Sequence, residues 1–517
     1  MGLPDQLGAS SIARCARRAG SALAALLLAG CAVGPDFVPP APPEVQAYTA
    51  GALPAALTPG FGEANQRLAT GQTITADWWQ LFHSPPLDAV LTEAVAGNQN
   101  LAAANATLAQ AREAVNQARA AFYPQVDFAA SARREQTTSA GRFTSGRSSR
   151  GGSTEISDLY SVGPSVSYSP DVFGLTRRQV EQQQALAQSQ AYQLAAAYLT
   201  LTGSAVSQAI GIASARLQIK ATEDIIADDE QNLTLVRAKF RAGNAARTDV
   251  LIAESQLAND RTLLPPLRQQ LSAARHALAV LTGKSPAQSK IGDFELAGFT
   301  LPPHLPVSLP SQLVRQRPDI LAAEANLHAA SAGVGVATAQ LYPTITLSAS
   351  FGFEASDPGD LFQGSGEIWS LVSGLTAPIF HGGALRAQRR GALDALRASL
   401  ATYQQTVLTA FGQVADTLRA LANDADLVGA GRHALDVANS SLTLQRESYA
   451  AGKSDLIQLL DSERLYQQAR LGYARDQAQR FQDTAQLFVA MGGGWWASKE
   501  LAVDRISSDL APATPTG

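Results

Sequence analysis

The chain has 517 residues, a formal net charge of −4, two cysteines and six histidines. The acidic balance argues against nucleic acid as a partner, and the scattered histidines, with no ligand-like spacing, argue against a metal site. No window of about 18 or more apolar residues occurs, so no transmembrane helix is predicted; a span of a bilayer would have to be a closed barrel, the other way lipid lets a backbone satisfy itself. No Ser, His and Asp residues fall into a catalytic motif such as Gly-x-Ser-x-Gly, so neither an enzyme activity nor a cofactor is expected.

The chain opens with a leader. Arg14, Arg17 and Arg18 precede an apolar run from Ala19 to Ala29, too short for the ~20 residues of a membrane-crossing helix. A basic region, a short apolar region and small residues at its end describe an export signal, to be set aside from the fold. Its last residues, Leu28-Ala29-Gly30-Cys31, resemble the bacterial lipoprotein signal. That resemblance implies cleavage after residue 30 and acylation of the Cys31 thiol. Ala32, where an Asp would favour inner-membrane retention, turns the expectation to the outer membrane. The stretch before the apolar run is long, which leaves the true start codon open. Cys15 lies in the leader, so the mature chain has no intramolecular disulfide available to it.

After Tyr123-Pro124 the hydrophobic period becomes two. Val126, Phe128 and Ala130 are answered by a return segment carrying Tyr160, Val162, Val166 and Tyr168, a predicted β-hairpin. Between its arms, Thr137 to Ser157 is rich in Gly, Ser and Arg and reads as a mobile extracellular loop. Arg142, Arg147 and Arg150 there are candidates for lipopolysaccharide phosphates, with a solvated loop as the plainer reading. From Leu175 to Phe240 there is no proline and a run of good helix formers, a helix of about 100 Å at ~1.5 Å per residue. Such a rod exceeds any compact core and predicts coiled-coil-like packing through small Ala side chains. It stops at Arg241-Ala242-Gly243-Asn244, and the chain turns back at Thr248-Asp249. A glycine stop and a Thr/Asp restart make a helix hairpin.

A Pro-rich stretch from Gly283 to Arg317 leads to a second copy of the same plan. Pro318 suits a first helical turn and Asp319 the positive end of the helix dipole; this helix is expected to run to Leu341 and stop before Pro343. Tyr342-Pro343 answers Tyr123-Pro124 at an offset of 219 residues, while Gly452, Glu463 and Gly492 answer Gly243, Glu254 and Gly283 at 209. The chain is therefore two internal repeats. In the second, Ile345, Leu347, Ala349, Phe351 and Phe353 alternate with Thr344, Thr346, Ser348, Ser350 and Gly352. Trp369, Leu371, Ser373, Leu375, Ala377 and Ile379 form the returning face. The second helix hairpin ends at Ala450-Ala451-Gly452-Lys453 and restarts at Ser454-Asp455. Gly333 and Gly335 follow no predicted strand, so they are assigned to tight helix packing rather than to a nucleotide loop. Trp78-Trp79 and Trp495-Trp496 are assigned to packing rather than to ligand stacking.

Each copy thus offers a hairpin of ~10–13-residue strands, the length that spans an outer membrane. Four strands cannot close a barrel, and lipid tolerates no open edge. The missing strands must come from other copies of the chain, and three chains would supply twelve.

Four stretches, "DWWQLFHSPPLDAVLTEAVAGNQNLAAA", "YSPDVFGLTRR", "RPDILAAEANLHAASAGVGVATAQLYP" and "YAAGKSDLIQLLDSER", together resemble the TolC-like outer-membrane factors, of the NodT-type efflux lipoprotein group. The resemblance covers essentially the whole mature chain. It implies an α+β membrane protein: a homotrimer with a 12-stranded outer-membrane β-barrel, four strands per chain, a long α-helical periplasmic barrel and a mixed α/β equatorial domain. The corresponding division is a signal peptide at 1–30, an anchor and equatorial segment at 31–86, and a first repeat at 87–283 with its β-hairpin at 123–173. An equatorial linker follows at 284–317, a second repeat at 318–492 with its β-hairpin at 342–380, and a partly disordered tail at 493–517.

The implied function is the exit duct of a tripartite efflux system in the Gram-negative outer membrane. Its partners would be a periplasmic adaptor protein, an inner-membrane pump of the resistance-nodulation-division class, and outer-membrane lipid. The resemblance makes Arg241, Gly243, Asn244, Gly452, Lys453 and Ser454 candidate adaptor contacts at the hairpin tips. It makes Ile457, Asp461 and Tyr449 candidates for the periplasmic gate. Ile457 and Asp461 are four apart on one helix face, and three-fold symmetry would stack an apolar ring on an acidic one. Gln458 stands where some relatives carry a second Asp, so a two-ring acidic gate is not expected. Two other roles stay open at this point, the duct of a type I secretion system and a non-conducting coiled-coil tether; a tether has no use for four alternating strands.

Overall fold

The computed structural model describes residues 32–45, 47–51, 56–57, 65–138, 154–290 and 292–497. In chain order these form β1 (Ala56–Leu57), β2 (Gln66–Thr70), α1 (Pro85–Gly97), α2 (Gln99–Ala120), β3 (Gln125–Thr138), β4 (Thr154–Tyr168), α3 (Leu175–Arg241), α4 (Arg247–Arg261) and α5 (Leu264–Leu281). There follow β5 (His304–Val307), α6 (Pro310–Leu313), α7 (Pro318–Ala339), β6 (Thr344–Ala355), β7 (Glu367–Thr376), α8 (Ala384–Ala450) and α9 (Leu456–Ala490). Among the described residues no helix is long and apolar enough to cross a membrane. The candidate lipid site Cys31 and the loop arginines Arg142, Arg147 and Arg150 lie outside the described residues.

The two long helices, α3 and α8, are each 67 residues, proline-free, and start 209 residues apart, the offset already carried by the hairpin glycines. Their continuations differ. After the second tip α9 runs unbroken for 35 residues, whereas the first tip is followed by α4 of 15 residues and α5 of 18. Pro265 and Pro266 cause the break: neither has an N–H to donate, so they are accommodated at the start of a new helix.

The chain folds as two compact units. One holds the described residues of 1–39, 110–187 and 326–400. Its sheet is fully antiparallel in the order β3-β4-β6-β7, so the two predicted hairpins join through β4 and β6. Strands β3 and β7 are its free edges. At 14 and 15 residues, β3 and β4 are longer than expected and reach into the presumed loop from both sides, while β7 stops at Thr376, leaving Ala377 and Ile379 beyond it. Helix α7 likewise ends at Ala339 rather than Leu341, its last carbonyls tied by a tighter turn from Leu341 N to Thr338 O. In the same unit, buried Arg178 of α3 donates to Asp36 and Glu181, both at 2.7 Å, and the Phe37 ring stacks on His328 at 4.4 Å. A Cβ on Gly335 would lie 2.7 Å from Arg178 Cδ, so this glycine serves the tight packing expected of it.

The other unit holds the described residues of 40–109, 188–325 and 401–517. It carries a small mixed sheet, β1-β2-β5, whose last strand comes from the Pro-rich linker and pairs in parallel with β2. Beside it, Trp78 and Phe82 are fully buried with Phe488, the Trp78 and Phe488 ring centroids 5.4 Å apart. Trp495 donates its indole N–H to the Gln316 carbonyl at 2.7 Å. The tryptophans thus pack, as expected.

Candidate functional site

The strand register sorts the four-stranded sheet into two faces. Ile345↔Leu375, Ala349↔Leu371 and Phe351↔Trp369 align apolar pairs on one face, with Thr344↔Thr376 and Ser350↔Ser370 on the other. In the first hairpin Val126↔Val166 and Phe128↔Pro164 share the apolar face, while Asp127↔Ser165 and Ser131↔Ser161 share the polar one. The β4–β6 register, through Val166↔Ala349 and Ser165↔Ser350, keeps both faces continuous across the join. Ser131 and Ser161, and likewise Ser350 and Ser370, are linked Oγ to Oγ at 2.8 Å. On the apolar face Trp369 and Leu371 are 74% and 76% exposed, so the sheet hides its small polar residues no better than its large apolar ones. Within the chain neither face is covered, an arrangement suited to lipid on one side and water on the other.

Pro164 sits in a central strand, where a missing N–H normally breaks the ladder. The β4–β6 pairing does skip Gly163 and Pro164. A Cβ on Gly163 would come within 2.2 Å of the Phe351 carbonyl oxygen, so this glycine lets the two backbones stay close across the gap.

At the helix-hairpin tips the chain-reversal chemistry is local. Gly243 (φ +77°) ends α3, with Asn244 N–H donating to the Lys239 carbonyl at 2.8 Å; Gly452 (φ +68°) ends α8, with Lys453 N–H donating to Ser448 at 2.9 Å. Both are six-to-one closures in which a left-handed residue satisfies the last helical carbonyls. The restarts are capped by carboxylates: Asp249 accepts from Ala246 N–H, and Asp455 from Gln458 N–H, each at 2.8 Å. A Cβ at either glycine would meet nothing within 4 Å. Arg241, Asn244 and Lys453 are exposed, and Ser454 is half-buried with its Oγ unpartnered.

Beneath the tips the four helices share one core, including Val236, Val250, Leu257, Leu442, Leu456 and Leu459. Tyr449 belongs to that core, capped by Lys239 with Nζ 3.7 Å from the ring centroid, a cation–π contact. The other two gate candidates face away from it. Ile457 is 63% exposed, and Asp461 is exposed in an ion pair with Arg464 at 2.6 Å. The structure thus brings Ile457 and Asp461 together on an open face of α9 and sets Tyr449 apart, as packing. Arg464 was not singled out from sequence, although its i+3 spacing from Asp461 was there to read.

Sequence reasoning also missed a buried acidic cluster. Asp229 of α3 is 3% exposed, no donor reaches either carboxylate oxygen, and the group it meets is the Asp260 carboxyl of α4. A buried carboxyl facing another carboxyl is disfavoured as an anion. Burial, reinforced by Asp260 and by the charges of Glu463 and Asp228, pushes Asp229 up to about 8. Glu463, buried on α9, accepts from Asn232 at 2.5 Å and from Arg446 at 3.4 Å, and burial still raises it. A second such pair joins Asp424 of α8 to Asp483 of α9, with burial pushing Asp424 up to about 7. Among the described residues no cluster of three or more His, Cys, Asp or Glu could hold a metal ion.

These features meet known proteins in one place. The family described as "Outer membrane efflux protein" matches residues 90–284 and 309–493. The pyoverdine export outer membrane protein OpmQ of Pseudomonas aeruginosa is 32% identical over 461 residues, covering 87% of this chain and 95% of that protein. Nodulation protein T of Rhizobium leguminosarum bv. viciae is 30% identical over 503 residues, covering 96% and 97%. Among solved structures, the outer-membrane channel OprN superposes with a TM-score of 0.79 at 27% identity, over 90% of this chain and 100% of that one. The CmeC outer membrane channel of Campylobacter jejuni reaches 0.81 at 21% identity, over 93% and 98%, a likeness of fold.

Proposed function

The chain belongs to the outer membrane efflux protein family, and from that premise we propose that three copies assemble into the exit duct of a tripartite efflux system. It is an outer-membrane efflux channel of a Gram-negative bacterium, extending into the periplasm. In our reading each copy adds four strands to a twelve-stranded barrel. The observation that carries the reading is the sheet with one exposed apolar face, one mostly small and polar face interrupted by Ile368 and Val372, and two unpaired edges. Lipid covers the first face, water fills the passage along the second, and neighbouring copies satisfy β3 and β7.

The rest of the reading follows from the helices. The tips around Gly243 and Gly452 meet a periplasmic adaptor, which connects the duct to an inner-membrane pump. Ile457 and Asp461 form the periplasmic constriction, with Arg464 beside the acidic ring. Cys31 carries the acyl anchor. The cargo is a small molecule chosen by the pump; pyoverdine export by the OpmQ relative supports a secreted or toxic small molecule rather than a protein. Planar-bilayer recording of the purified protein tests the duct: discrete conductance steps are expected, and a protein that inserts without conducting would restore the tether.

A further inference from the structure

Strand β7 leaves the sheet at Thr376, and α8 begins at Ala384. Between them Ile379 and Phe380 are 91% and 87% exposed. Immediately beyond, Arg386, Arg389 and Arg390 occupy the first two turns of α8. Together with Leu341, Ile379 and Phe380 these arginines line a cavity of about 580 Å³. Among the described residues none of the three guanidinium groups has an ion pair or hydrogen bond with the protein. No Asp or Glu occurs from Ile368 to Leu393, and the next acid, Asp394, is bonded to Arg397 at 2.9 Å. Three unpaired cations beside two bare apolar side chains are unusual on a surface that faces only water, because each kind of group then gains nothing from the other.

The same unit marks the depth of this surface. Gly174, at the matching junction between β4 and α3, packs against Ala32, the residue that follows the candidate acyl site: a Cβ on Gly174 would lie 2.7 Å from Ala32 Cα. Val33 N–H donates to the Phe173 carbonyl at 3.2 Å, and the Phe173 ring stacks on Tyr342 with centroids 5.0 Å apart. An acyl anchor and an aromatic pair both belong at the headgroup layer. Helical side chains lean toward the helix N-terminus, which in α8 is the strand end, and long arginine stems reach further still. Arg390 lies six residues into α8, roughly 9 Å at 1.5 Å per residue, within reach of that layer.

We infer that Arg386, Arg389 and Arg390 bind the phosphate headgroup of an anionic phospholipid in the periplasmic leaflet, with its acyl chains lying over Ile379, Phe380 and the apolar face of β7. The guanidinium fork matches phosphate oxygens bidentately. A zwitterionic lipid presents the same phosphate but brings an ammonium group into a site that already holds three cations. Free phosphate offers the charge and leaves Ile379 and Phe380 uncovered. The site rests on reading the sheet as a membrane span, so bilayer conductance of the same preparation is recorded alongside.

The test uses trimers purified in a detergent with an uncharged headgroup, exposed to phosphatidylglycerol, to phosphatidylcholine of the same chains, or to inorganic phosphate. Lipid retention is read by native mass spectrometry. Wild type should retain phosphatidylglycerol at least tenfold better than phosphatidylcholine, and inorganic phosphate should not compete. The Arg386→Gln/Arg389→Gln/Arg390→Gln variant should lose that preference while keeping its trimers and conductance; Arg389→Gln alone should lose part of it. Equal retention of the two lipids by conducting wild type overturns the site, as does a triple variant that keeps the preference. Displacement of the lipid by inorganic phosphate overturns it in favour of a free-anion site. Trimers that fall apart in both the triple and single variants overturn it in favour of arginines holding a neighbouring copy of the chain.

Discussion

In the four-stranded sheet the largest side chains, Phe128, Trp369 and Leu371, stand exposed while small serines pair on the opposite face. At the helix tips Leu456, Leu459 and Val250 are inside while Leu251, Leu444 and Ile457 stand exposed, and Asp229 and Glu463 are inside as well. The sheet places most of its polarity by strand period, one residue to each side, with Ile368, Val372 and Ser373 of β7 as exceptions. The tips must place theirs by how four helices meet, and for Asp229, caught between them, burial favours the protonated carboxyl. In the proposed channel, exposure in the sheet is the functional state, whereas the buried acids below the tips respond to pH.

The contrast breaks most visibly in the sheet. An arginine facing lipid near the bilayer midplane costs about 2–4 kcal/mol, in every copy of the assembly. Leu371→Arg is therefore expected to abolish trimers and outer-membrane insertion, whereas Ser370→Arg, one residue along on the other face, should insert normally and shift ion selectivity. Trimer content on gels and membrane fractionation check both. Equal loss in the two variants would mean that the two faces are not distinct environments.

Bulk at the tips should act on partnership rather than on folding. A Cβ at Gly243 or Gly452 meets no atom within 4 Å, so the first atom of a Trp side chain fits, though a left-handed backbone costs a non-glycine residue roughly 1–2 kcal/mol. Trimers should persist while cells become as sensitive to pump substrates as a deletion strain, with adaptor cross-links at both tips lost. Unchanged cross-linking at both positions removes the tips from the docking surface.

Inside the proposed constriction, charge and apolar bulk should separate. Asp461→Ala is expected to lower cation preference several-fold and to abolish block by hexamminecobalt, because fixed carboxylates in a narrow ring set which ions enter. Arg464→Ala should do the reverse, since Asp461 then loses the cation bonded to it at 2.6 Å. Ile457→Ala should raise basal leak without changing selectivity. An Asp461→Ala pore with wild-type selectivity and block takes that residue out of the gate.

The smallest effect sharpens the comparison at the buried acids. Asp229 is raised from 3.8 to about 8, so the folded chain keeps a proton that the unfolded chain has released. The stabilisation from that proton is fully present below about pH 4 and is lost as pH rises through about 8. Asp229→Asn keeps the shape and cannot titrate. Its melting temperature should match wild type near pH 4 and exceed it near pH 9, by roughly 1 °C for each kcal/mol in a chain of about 500 residues. Asp424→Asn should behave alike with a midpoint about one unit lower, near 7. A wild-type melting temperature with no pH slope across this range denies the raised carboxyls of Asp229 and Asp424.

Much of this molecule was legible because its rules are local. The alternation around Ile345 to Phe353 assigns each residue to a face before any partner strand is known, since successive side chains in a strand point opposite ways. Gly243, Gly452, Asp249 and Asp455 announce the tips because helix ends are closed by residues within one turn. Pro265-Pro266 likewise announces the break between α4 and α5. Arg464 beside Asp461 needed only a helical spacing.

What the sequence determined by itself was therefore most of the alternating faces, the long proline-free helices and the turns, each dictated by covalent geometry or by hydrogen bonds a few residues apart. Only the tertiary structure decided that β4 pairs with β6, that Tyr449 lies under Lys239 rather than on the open face with Ile457, and that Asp229 meets Asp260 and lies near Glu463. Those contacts join residues distant in the chain, and a carboxylate's spelling in the sequence is the same whether water or another carboxyl surrounds it. Packing selects between the two, because burial removes the solvent that would have kept the charge.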